Sequence, residues 1–294
     1  MIKENNVITL TIVSMMTMNY SESLGNLSSI QKVIQNGQIY GKRTKESLKY
    51  HIMNQSGLYD SETSVDGATQ RTSTDKMNIS NCPGLEGGYM STKGKTIKRN
   101  SSFYVSDGIS VDVFSGNYEF HNNLGLSTEF ANQNGLKLGK DDKKCGLMPY
   151  SYEYQKNLVV YSITIDLNRI GIDENFGINI TNEEKIDRVI RLLTSVRDLS
   201  LVVKGSLDNS TPRFIIGGFS KIKTHVFEPY VKIRNNELLL TDSLLMKLKQ
   251  NNFCKVGMID ETFKNDKEIK ETFDVMNVDK FFDQLFEDVR EYYS

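Results

Sequence analysis

Alternating and concentrated apolar residues predict the strands of this sequence. In "VITLTIV" (7–13), Ile8, Leu10 and Ile12 share one face and the two threonines share the other, which is the pattern of a half-buried strand. The stretch "LVVYSITIDL" (158–167) has the clearest strand pattern of the chain. Further strands are predicted in "SFYVSDGISVDVF", "LSLVVKG" and "PRFIIGGFSKIKTHVFEPYVKI", and the glycine pair of the last predicts a bend or bulge.

The first helix is predicted over 44–55. Thr44 can cap it, and an apolar i, i+4 pair follows. Lys45 and Lys49 have the same spacing one step around the helix. We therefore expect them to form a basic stripe that faces solvent.

Two further helical patterns lie in the second half of the chain. A capping box of Thr181 and Glu184 begins a helix predicted over 182–198. Two short helices are predicted at the C-terminus, the last over 278–292 with one apolar and one acidic face.

Polar stretches separate these elements. Residues 55–82 and 121–150 offer little that could pack in a core, and we expect both to be loops or insertions. The order that results is strand, helix, interrupted strands, strand, helix, strand. It resembles a split βαβ arrangement and predicts an α+β fold with a ferredoxin-like core and a long insertion between its halves.

Composition and charge narrow the class of protein. The 294 residues are 38% hydrophobic and 25% charged, which is typical of a globular protein, and the net charge of −1 gives no overall attraction to nucleic acid. The charge is uneven, because bases dominate 23–59 and 87–106 whereas acids dominate 257–294. Two interpretations stay open: a basic face that binds a polyanion, or unrelated solvated surfaces.

No motif for catalysis, metal binding or membrane insertion stands out. The three cysteines and three histidines lack the spacing of zinc ligands, no phosphate-binding glycine loop or nucleophile elbow is present, and no cofactor is predicted. The stretch "VITLTIVSMMTM" has polar interruptions and no cleavage site behind it, so we expect neither secretion nor a membrane span, but a cytoplasmic protein. Nothing argues for an enzyme, although folding could still bring acids and bases together.

One basic segment is mixed with aromatic residues. Four bases at 93–99 are flanked by Tyr89 and Met90 on one side and by Phe103 and Tyr104 on the other. Cations can follow a phosphate backbone while rings stack on bases, so the mixture suits single-stranded nucleic acid, and a solvated hairpin explains it equally well. The nearly uncharged, Asn/Ser-rich stretch behind the first strand could add neutral hydrogen bonds to sugar and phosphate.

Four stretches, in order, carry a family resemblance. They are "ITLTIVSMMTMNYSESLGNLSSIQKV", "GKRTKESLKYHIMNQSG", "GGYM" followed by "KGKTIKRNSSFYVSDGIS", and "YSITIDLNRIGI". Together they resemble the DevR-type CRISPR-associated proteins, the Cas-seven backbone subunits of type I Cascade, and most of all the type I-B branch. The resemblance covers residues 1–235 or so, and "NYSESLGN" and "IDLNRIG" are its most specific parts.

The resemblance implies an RRM-like palm, a finger insertion and a thumb. On this chain it implies that 1–54 and 151–200 form the two halves of the palm, 55–150 the finger, 201–235 the thumb and palm strands, and 236–294 acidic C-terminal helices. It also implies a non-catalytic subunit that forms a helical filament with copies of itself along the CRISPR guide RNA. The partners implied are the Cas-five, Cas-six, Cas-eight and small subunits, with the guide presented to target DNA in antiviral defence.

The same resemblance assigns the RNA contacts. They fall in the loop after the first strand, at the first helix, behind the Gly-Tyr-Met motif and in "IIGGFSKIK" (215–223), where the family places its thumb: Asn19, Ser21, Asn26, Lys32, Lys42, Arg43, Lys45, Lys49, Tyr89, Met90, Lys98, Arg99, Lys221 and Lys223. No acid matches the catalytic aspartate of related type III subunits, and the alternatives are a metal-dependent ribonuclease of that kind and a single-copy RNA-binding module. The aromatic signature of free-standing RRM domains is missing, so the RRM label refers to topology.

Overall fold

A large sheet forms the centre of the protein in a computed structural model that describes residues 2–19, 27–59, 62–66, 68–71, 73–92 and 96–294. Within these residues it has nine strands: β1 (Val7–Thr17), β2 (Lys32–Gln35), β3 (Gln38–Arg43), β4 (Phe103–Val105), β5 (Gly108–Val113), β6 (Lys156–Asp166), β7 (Pro212–Ser220), β8 (Cys254–Met258) and β9 (Val275–Met276). The order across the sheet is β9-β8-β7-β1-β6-β5-β3-β2, and β4 also pairs with β6.

Strand β1 is central because it is paired on both sides. It runs antiparallel to β6, from Val7 opposite Asp166 to Thr17 opposite Lys156, and antiparallel to β7 on its other side. The strand predictions at 7–13 and 158–167 are confirmed. The two short strands predicted within "SFYVSDGISVDVF" are β4 and β5.

Both faces of the sheet are covered, so the prediction that β1 is half-buried is wrong. Thr9 and Thr11 are fully buried. Thr9 donates its hydroxyl proton to the carbonyl of Thr224 (3.0 Å), and the hydroxyl oxygen of Thr11 lies 2.8 Å from that of Ser162. Polar residues that satisfy their hydrogen bonds inside a protein give the same alternation as residues that face water.

Helices cover one face of the sheet and a C-terminal segment covers the other. The described residues form six α-helices: α1 (Lys45–Gln55), α2 (Leu124–Gln133), α3 (Asn182–Arg197), α4 (Asp242–Lys249), α5 (Asp266–Thr272) and α6 (Val278–Tyr293). Helices α1, α3 and α6 share one apolar core with the sheet. A second core on the opposite face joins Val13 and Phe214 of the strands to Val226, Phe227 and Leu244.

The helices predicted at 44–55, 182–198 and 278–292 are confirmed. Their first turns are capped by side chains, since Thr44 accepts a hydrogen bond from the amide of Ser47 and Thr181 accepts one from the amide of Glu184. Helix α2 lies inside the stretch predicted to be a loop. It buries only Ser127 and Ala131 and exposes Leu124, Leu126 and Phe130, and its short apolar spacing lies within a polar, glycine-rich stretch that is typical of a loop.

The segment 236–294 is more than a set of acidic helices. Strands β8 and β9 extend the sheet, with β8 antiparallel to β7 and parallel to β9. Helix α6 buries Phe281, Phe282 and Leu285 in the core that α1 and α3 share. The C-terminal segment therefore belongs to the central fold.

Gly217 and Gly218 lie in regular strand, so the predicted bend or bulge is wrong. The register of β7 is continuous there, with Gly218 opposite Thr9 of β1 and Cys254 of β8. Both glycines have a φ of 150°, and a Cβ on Gly217 would lie 2.0 Å from the carbonyl oxygen of Thr9. Glycine is required because the neighbouring backbone leaves no room for a side chain.

Short strand pairs complete the described structure. They are Thr63–Asp66 with Ala68–Arg71, Tyr89–Ser91 with Ile97–Arg99, Tyr118–His121 with Tyr150–Glu153 and Leu27–Ser28, Ile172–Asp173 with Ile178–Asn179, Ser200–Val203 with Ser206–Asn209, and Ile233–Arg234 with Glu237–Leu238. The expected loop at 55–82 thus contains a hairpin, and "LSLVVKG" contains the predicted strand. Among the described residues, no helix is long and apolar enough to cross a membrane.

Candidate nucleic-acid interface

A polar cleft lies where β1 begins and where β6 and β7 end. Val7 lies opposite Asp166 and Ser220 at this edge of the sheet. The strand Ile97–Arg99, which pairs with Tyr89–Ser91, and the residues that follow β6 and β7 form its walls. The cleft has a volume of about 390 Å³ and is lined by Asn6, Val7, Lys98, Arg99, Asp166, Asn168, Arg169, Ile172, Asp173, Glu174, Asn175, Lys221 and Lys223.

Three of the lysines predicted to bind RNA meet in this cleft. Lys98 comes from the hairpin, whereas Lys221 and Lys223 follow β7. Lys98 is exposed, and the side chains of Lys221 and Lys223 keep 61% and 45% of their accessible surface. Lys221 lies 2.6 Å from the carboxylate of Glu4, and Lys223 pairs with Asp166. The exposed Lys221–Glu4 pair is weak, so Lys221 can exchange its partner for a phosphate. Asp166 is buried, so Lys223 keeps that partner and offers a phosphate the accessible side of its ammonium group.

Arg169 also lines the cleft, and no sequence pattern assigned it a role. It lies in "IDLNRIG", directly behind β6. Its Nε atom is buried and makes no hydrogen bond to the part of the chain that the structure describes. An arginine three residues after the end of the strand with the clearest pattern is the signal that could have indicated it.

Arg99 has its side chain inside the protein. Only 2% of that side chain is accessible, and its guanidinium lies 3.0 Å from the carboxylate of Glu86, which also lies 3.0 Å from Arg188. Arg99 further donates to the carbonyls of Leu85 and Ile172 (2.9 Å each). The predicted RNA contact is therefore wrong for Arg99, because its donors are already satisfied within the fold.

Two bases at the start of α1 are also used internally. Arg43 is 2% exposed and donates to the carbonyl of Thr17 (3.2 Å), and burial lowers its pKa to about 10. Lys49 donates to the carbonyl of Gly87 (2.9 Å) and to the hydroxyl of Ser101 (3.0 Å), and burial lowers its pKa to about 8. The prediction that Lys49 faces solvent is wrong, and neither cation is directed towards a phosphate.

The loop after β1 is described only in part. Ser21 and Asn26, which were predicted to contact RNA, lie outside the described residues, as do Lys93 and Lys95 of the basic run. The side chain of Asn19 accepts a hydrogen bond from the amide of Thr44 (2.8 Å) and so orders the approach to α1. Lys32 pairs with the buried Glu153 (2.6 Å).

Lys42 and Lys45 flank the first turn of α1. Lys42 lies 3.6 Å from Asp107, and the backbone amide of Lys45 donates to the same carboxylate (2.7 Å). The side chain of Lys45 is exposed. Lys45 is thus the candidate around α1 whose ammonium group is open to solvent. Within the described residues, no side chain of another element binds it.

The aromatic residue of the Gly-Tyr-Met motif is buried. The Tyr89 hydroxyl donates to the carboxylate of Asp173 (2.9 Å) and accepts from the side-chain amide of Asn175 (2.9 Å). Burial raises the pKa of Tyr89 to about 12. A stacking role for Tyr89 is therefore wrong, whereas Met90 is exposed and its contact stays a prediction.

The segment predicted as the thumb is largely core. Residues 215–220 belong to β7 and are buried between β1 and β8. Lys221 and Lys223 come after the strand ends and enter the cleft. A thumb in 215–220 is therefore wrong, although the two lysines behind it are accessible.

Comparison with known proteins gives the family. Residues 8–237 match the sequence family described as "CRISPR-associated negative auto-regulator DevR/Csa2". The chain belongs to the DevR/Csa2 family. The match runs from the second residue of β1 past the end of β7 and includes every cleft residue except Asn6 and Val7. No curated protein matches the sequence.

Solved structures share the fold of this DevR/Csa2 family member. A chain of a "CRISPR RNA-guided surveillance complex, pre-nicking" has a TM-score of 0.60 at 8% identity, with 95% of this chain and 100% of that chain covered. A chain of a "CRISPR RNA-guided surveillance complex" has a TM-score of 0.50 at 10% identity, with 87% and 90% covered. In the described ranges, no group of three or more His, Cys, Asp or Glu residues is arranged to hold a metal ion.

Proposed function

We propose that this protein is a non-catalytic backbone subunit that binds CRISPR guide RNA in a Cascade-type surveillance complex. The observation that carries the proposal is the cleft in which the exposed Lys98, Lys221 and Lys223 meet. Cations on a rigid edge of a sheet neutralise phosphates without reading base sequence, which is what a subunit repeated along any guide requires. The fold similarity to chains of RNA-guided surveillance complexes supports the same role.

The sheet supports the palm of this proposal. Strands β7, β1, β6 and β4 are neighbours in that order and antiparallel, and α1 and α3 pack on one face of them. This is the arrangement of a split βαβ, ferredoxin-like unit. We assign the palm to these elements, and the finger to the insertion between α1 and β6 from which β4 and β5 return to the sheet.

The thumb is better placed in the hairpin Ser200–Asn209 than in β7. Val202 and Leu207 of this hairpin are among the most exposed apolar residues of the described chain. All of the hairpin except Ser200 lies within the predicted range 201–235, and it contacts the far end of β1, where the amide of Thr17 donates to Asp208 (2.7 Å). An exposed apolar hairpin fits a segment that reaches a neighbouring copy or the RNA.

The remaining parts of the proposal concern assembly. Copies of the chain form a helical filament along the spacer part of the guide in a type I-B complex in the cytoplasm, with the Cas-five, Cas-six, Cas-eight and small subunits. The guide is then presented to target DNA in antiviral defence. Negative-stain imaging with guide RNA tests the filament, and a particle with one copy per guide would contradict it.

Salt-dependent RNA binding tests the central claim. Lys98→Ala, Lys221→Ala and Lys223→Ala should each weaken binding to unrelated single-stranded RNAs to a similar extent. Each should also lower the slope of log affinity against log salt by about one unit for every phosphate that is no longer neutralised. Lys267→Ala is the matched control, because this lysine of α5 is 92% exposed and does not line the cleft. Unchanged slopes for all three cleft variants would refute the RNA-binding role.

The absence of catalysis is a separate proposal with its own measurement. The assembled complex is incubated with RNA complementary to the guide, in the presence of magnesium. We expect the RNA to stay intact. Cuts at regular intervals would instead establish a metal-dependent ribonuclease of the type III kind.

A further inference from the structure

A small pocket opens on the sheet beside the polar cleft. It has a volume of about 310 Å³ and is lined by Tyr104, Thr164, Lys223, Thr224 and His225. Lys223 lines both the pocket and the cleft, so the two are adjacent. The pocket itself contains no acidic side chain.

Tyr104 presents a ring at this pocket. Its neighbours in β4, Phe103 and Val105, are buried in the helical core, so alternation along the strand places Tyr104 on the other face. The side chain is 38% exposed, and the ammonium of Lys223 lies 5.6 Å from the centre of its ring. An accessible aromatic ring next to a cation is the pair of groups that binds a nucleobase and its phosphate.

Hydrogen bonds behind the ring hold His225 in place. The Thr164 hydroxyl contacts the carbonyl of Thr224 (3.0 Å) and Nδ1 of His225 (2.8 Å), and the Thr224 carbonyl also accepts from the hydroxyl of Thr9. Because Nδ1 contacts Thr164, Nε2 is the ring nitrogen left for a ligand, as a donor or an acceptor according to the tautomer. Burial lowers the pKa of His225 and so favours the neutral ring.

We propose that this pocket binds one unpaired nucleobase of the RNA that lies in the cleft. The base stacks on Tyr104, its edge forms a hydrogen bond with Nε2 of His225, and Lys223 binds the adjoining phosphate. Each of the four RNA bases carries both N–H donors and acceptors on its edge, so the pocket takes any of them with either tautomer of His225. The inference rests on the proposed RNA binding and adds a base contact on the sheet to the phosphate contacts of the cleft.

The test compares RNA with a backbone that lacks bases. Full-length wild type, Tyr104→Ala and Tyr104→Phe are titrated with a short oligouridylate and with an abasic ribose-phosphate of equal length, at several salt concentrations. Tyr104→Ala should bind oligouridylate about 5- to 100-fold more weakly, the range expected for one stacked base, with an unchanged salt slope. Tyr104→Phe keeps the ring and should bind like the wild type.

The abasic ligand separates stacking from folding. Tyr104→Ala and the wild type should bind it equally, and Tyr50→Ala, which removes an exposed ring of α1, should bind both ligands like the wild type. An equal loss on both ligands, or no loss on either, would overturn the base pocket. If the wild type binds neither ligand, the proposed RNA binding fails and the pocket with it. Thermal unfolding of each variant confirms that the titrated protein is folded.

Discussion

Lys98 and Arg99 are neighbours in the sequence and belong to two regions with opposite properties. Lys98 is exposed on the cleft with Lys221 and Lys223, while Arg99, which also lines the cleft, has its guanidinium buried against Glu86, the carboxylate that also binds Arg188. We call the first group the cleft lysines and the second the buried ionic cluster. The comparison shows that a run of bases does not reveal which of them are available to a ligand, because that depends on where a buried carboxylate lies.

The two regions are mechanically connected. Arg99 donates to the carbonyls of Arg169 (2.7 Å) and Ile172 (2.9 Å), and Glu86 accepts from the amide of Gly171 (2.8 Å). These bonds hold the loop behind β6, which forms one wall of the cleft. The buried ionic cluster therefore shapes the site, and the cleft lysines provide its charge.

Among these substitutions, removal of Glu86 should lower the stability of the fold the most. Glu86→Ala leaves Arg99 and Arg188 buried without their shared carboxylate, which should cost about 3–5 kcal/mol in the free energy of unfolding. Denaturant unfolding measures this loss of unfolding free energy. Glu291→Ala, which removes an exposed acid of α6, is the control and should change stability by less than about 0.5 kcal/mol. A Glu86→Ala variant as stable as the control would show that the cluster does not support the fold.

Exchange of the two neighbouring bases should separate the regions directly. Arg99→Lys keeps the charge but loses the planar fork that serves Glu86, Leu85 and Ile172 together, so we expect a loss of about 2–3 kcal/mol. Lys98→Arg should leave stability unchanged and keep the affinity for RNA. Equal effects of the two substitutions on unfolding would contradict the distinction between cluster and cleft.

The sequence predicts the elements of this fold whose apolar residues recur at a regular spacing. Strands β1 and β6 and helices α1, α3 and α6 follow from apolar spacing and from caps such as Thr44 and Thr181. Helix α2 exposes its larger apolar residues and lies within a polar, glycine-rich stretch that is typical of a loop. The burial of Thr9 could not be predicted, because its hydrogen-bond partner Thr224 comes from a distant segment.

The site is less predictable than the fold. The resemblance to the family indicated Lys98, Lys221 and Lys223, but their proximity follows from the sheet, which places the end of β7 next to the insertion. The predicted RNA contacts of Arg43, Lys49 and Arg99 are wrong for one reason. The sequence does not distinguish a lysine or arginine in solvent from one whose hydrogen bonds are made inside the protein. Arg169 shows the opposite error, a cation at the cleft that no charge run marks.

Lys49 should sharpen the comparison through the pH dependence of stability, since it is a buried cation without the carboxylate that Arg99 has. Its folded pKa of about 8 lies below its unfolded value of 10.5. The unfolded chain therefore binds more protons between these values, and stability should rise with pH from about 8 towards 10.5, by at most about 1.4 kcal/mol per pH unit. Lys49→Met removes this contribution, so the difference in unfolding free energy between wild type and variant should grow in favour of the wild type across that window. A difference that stays constant from pH 8 to 10 would mean that Lys49 is solvated like the cleft lysines.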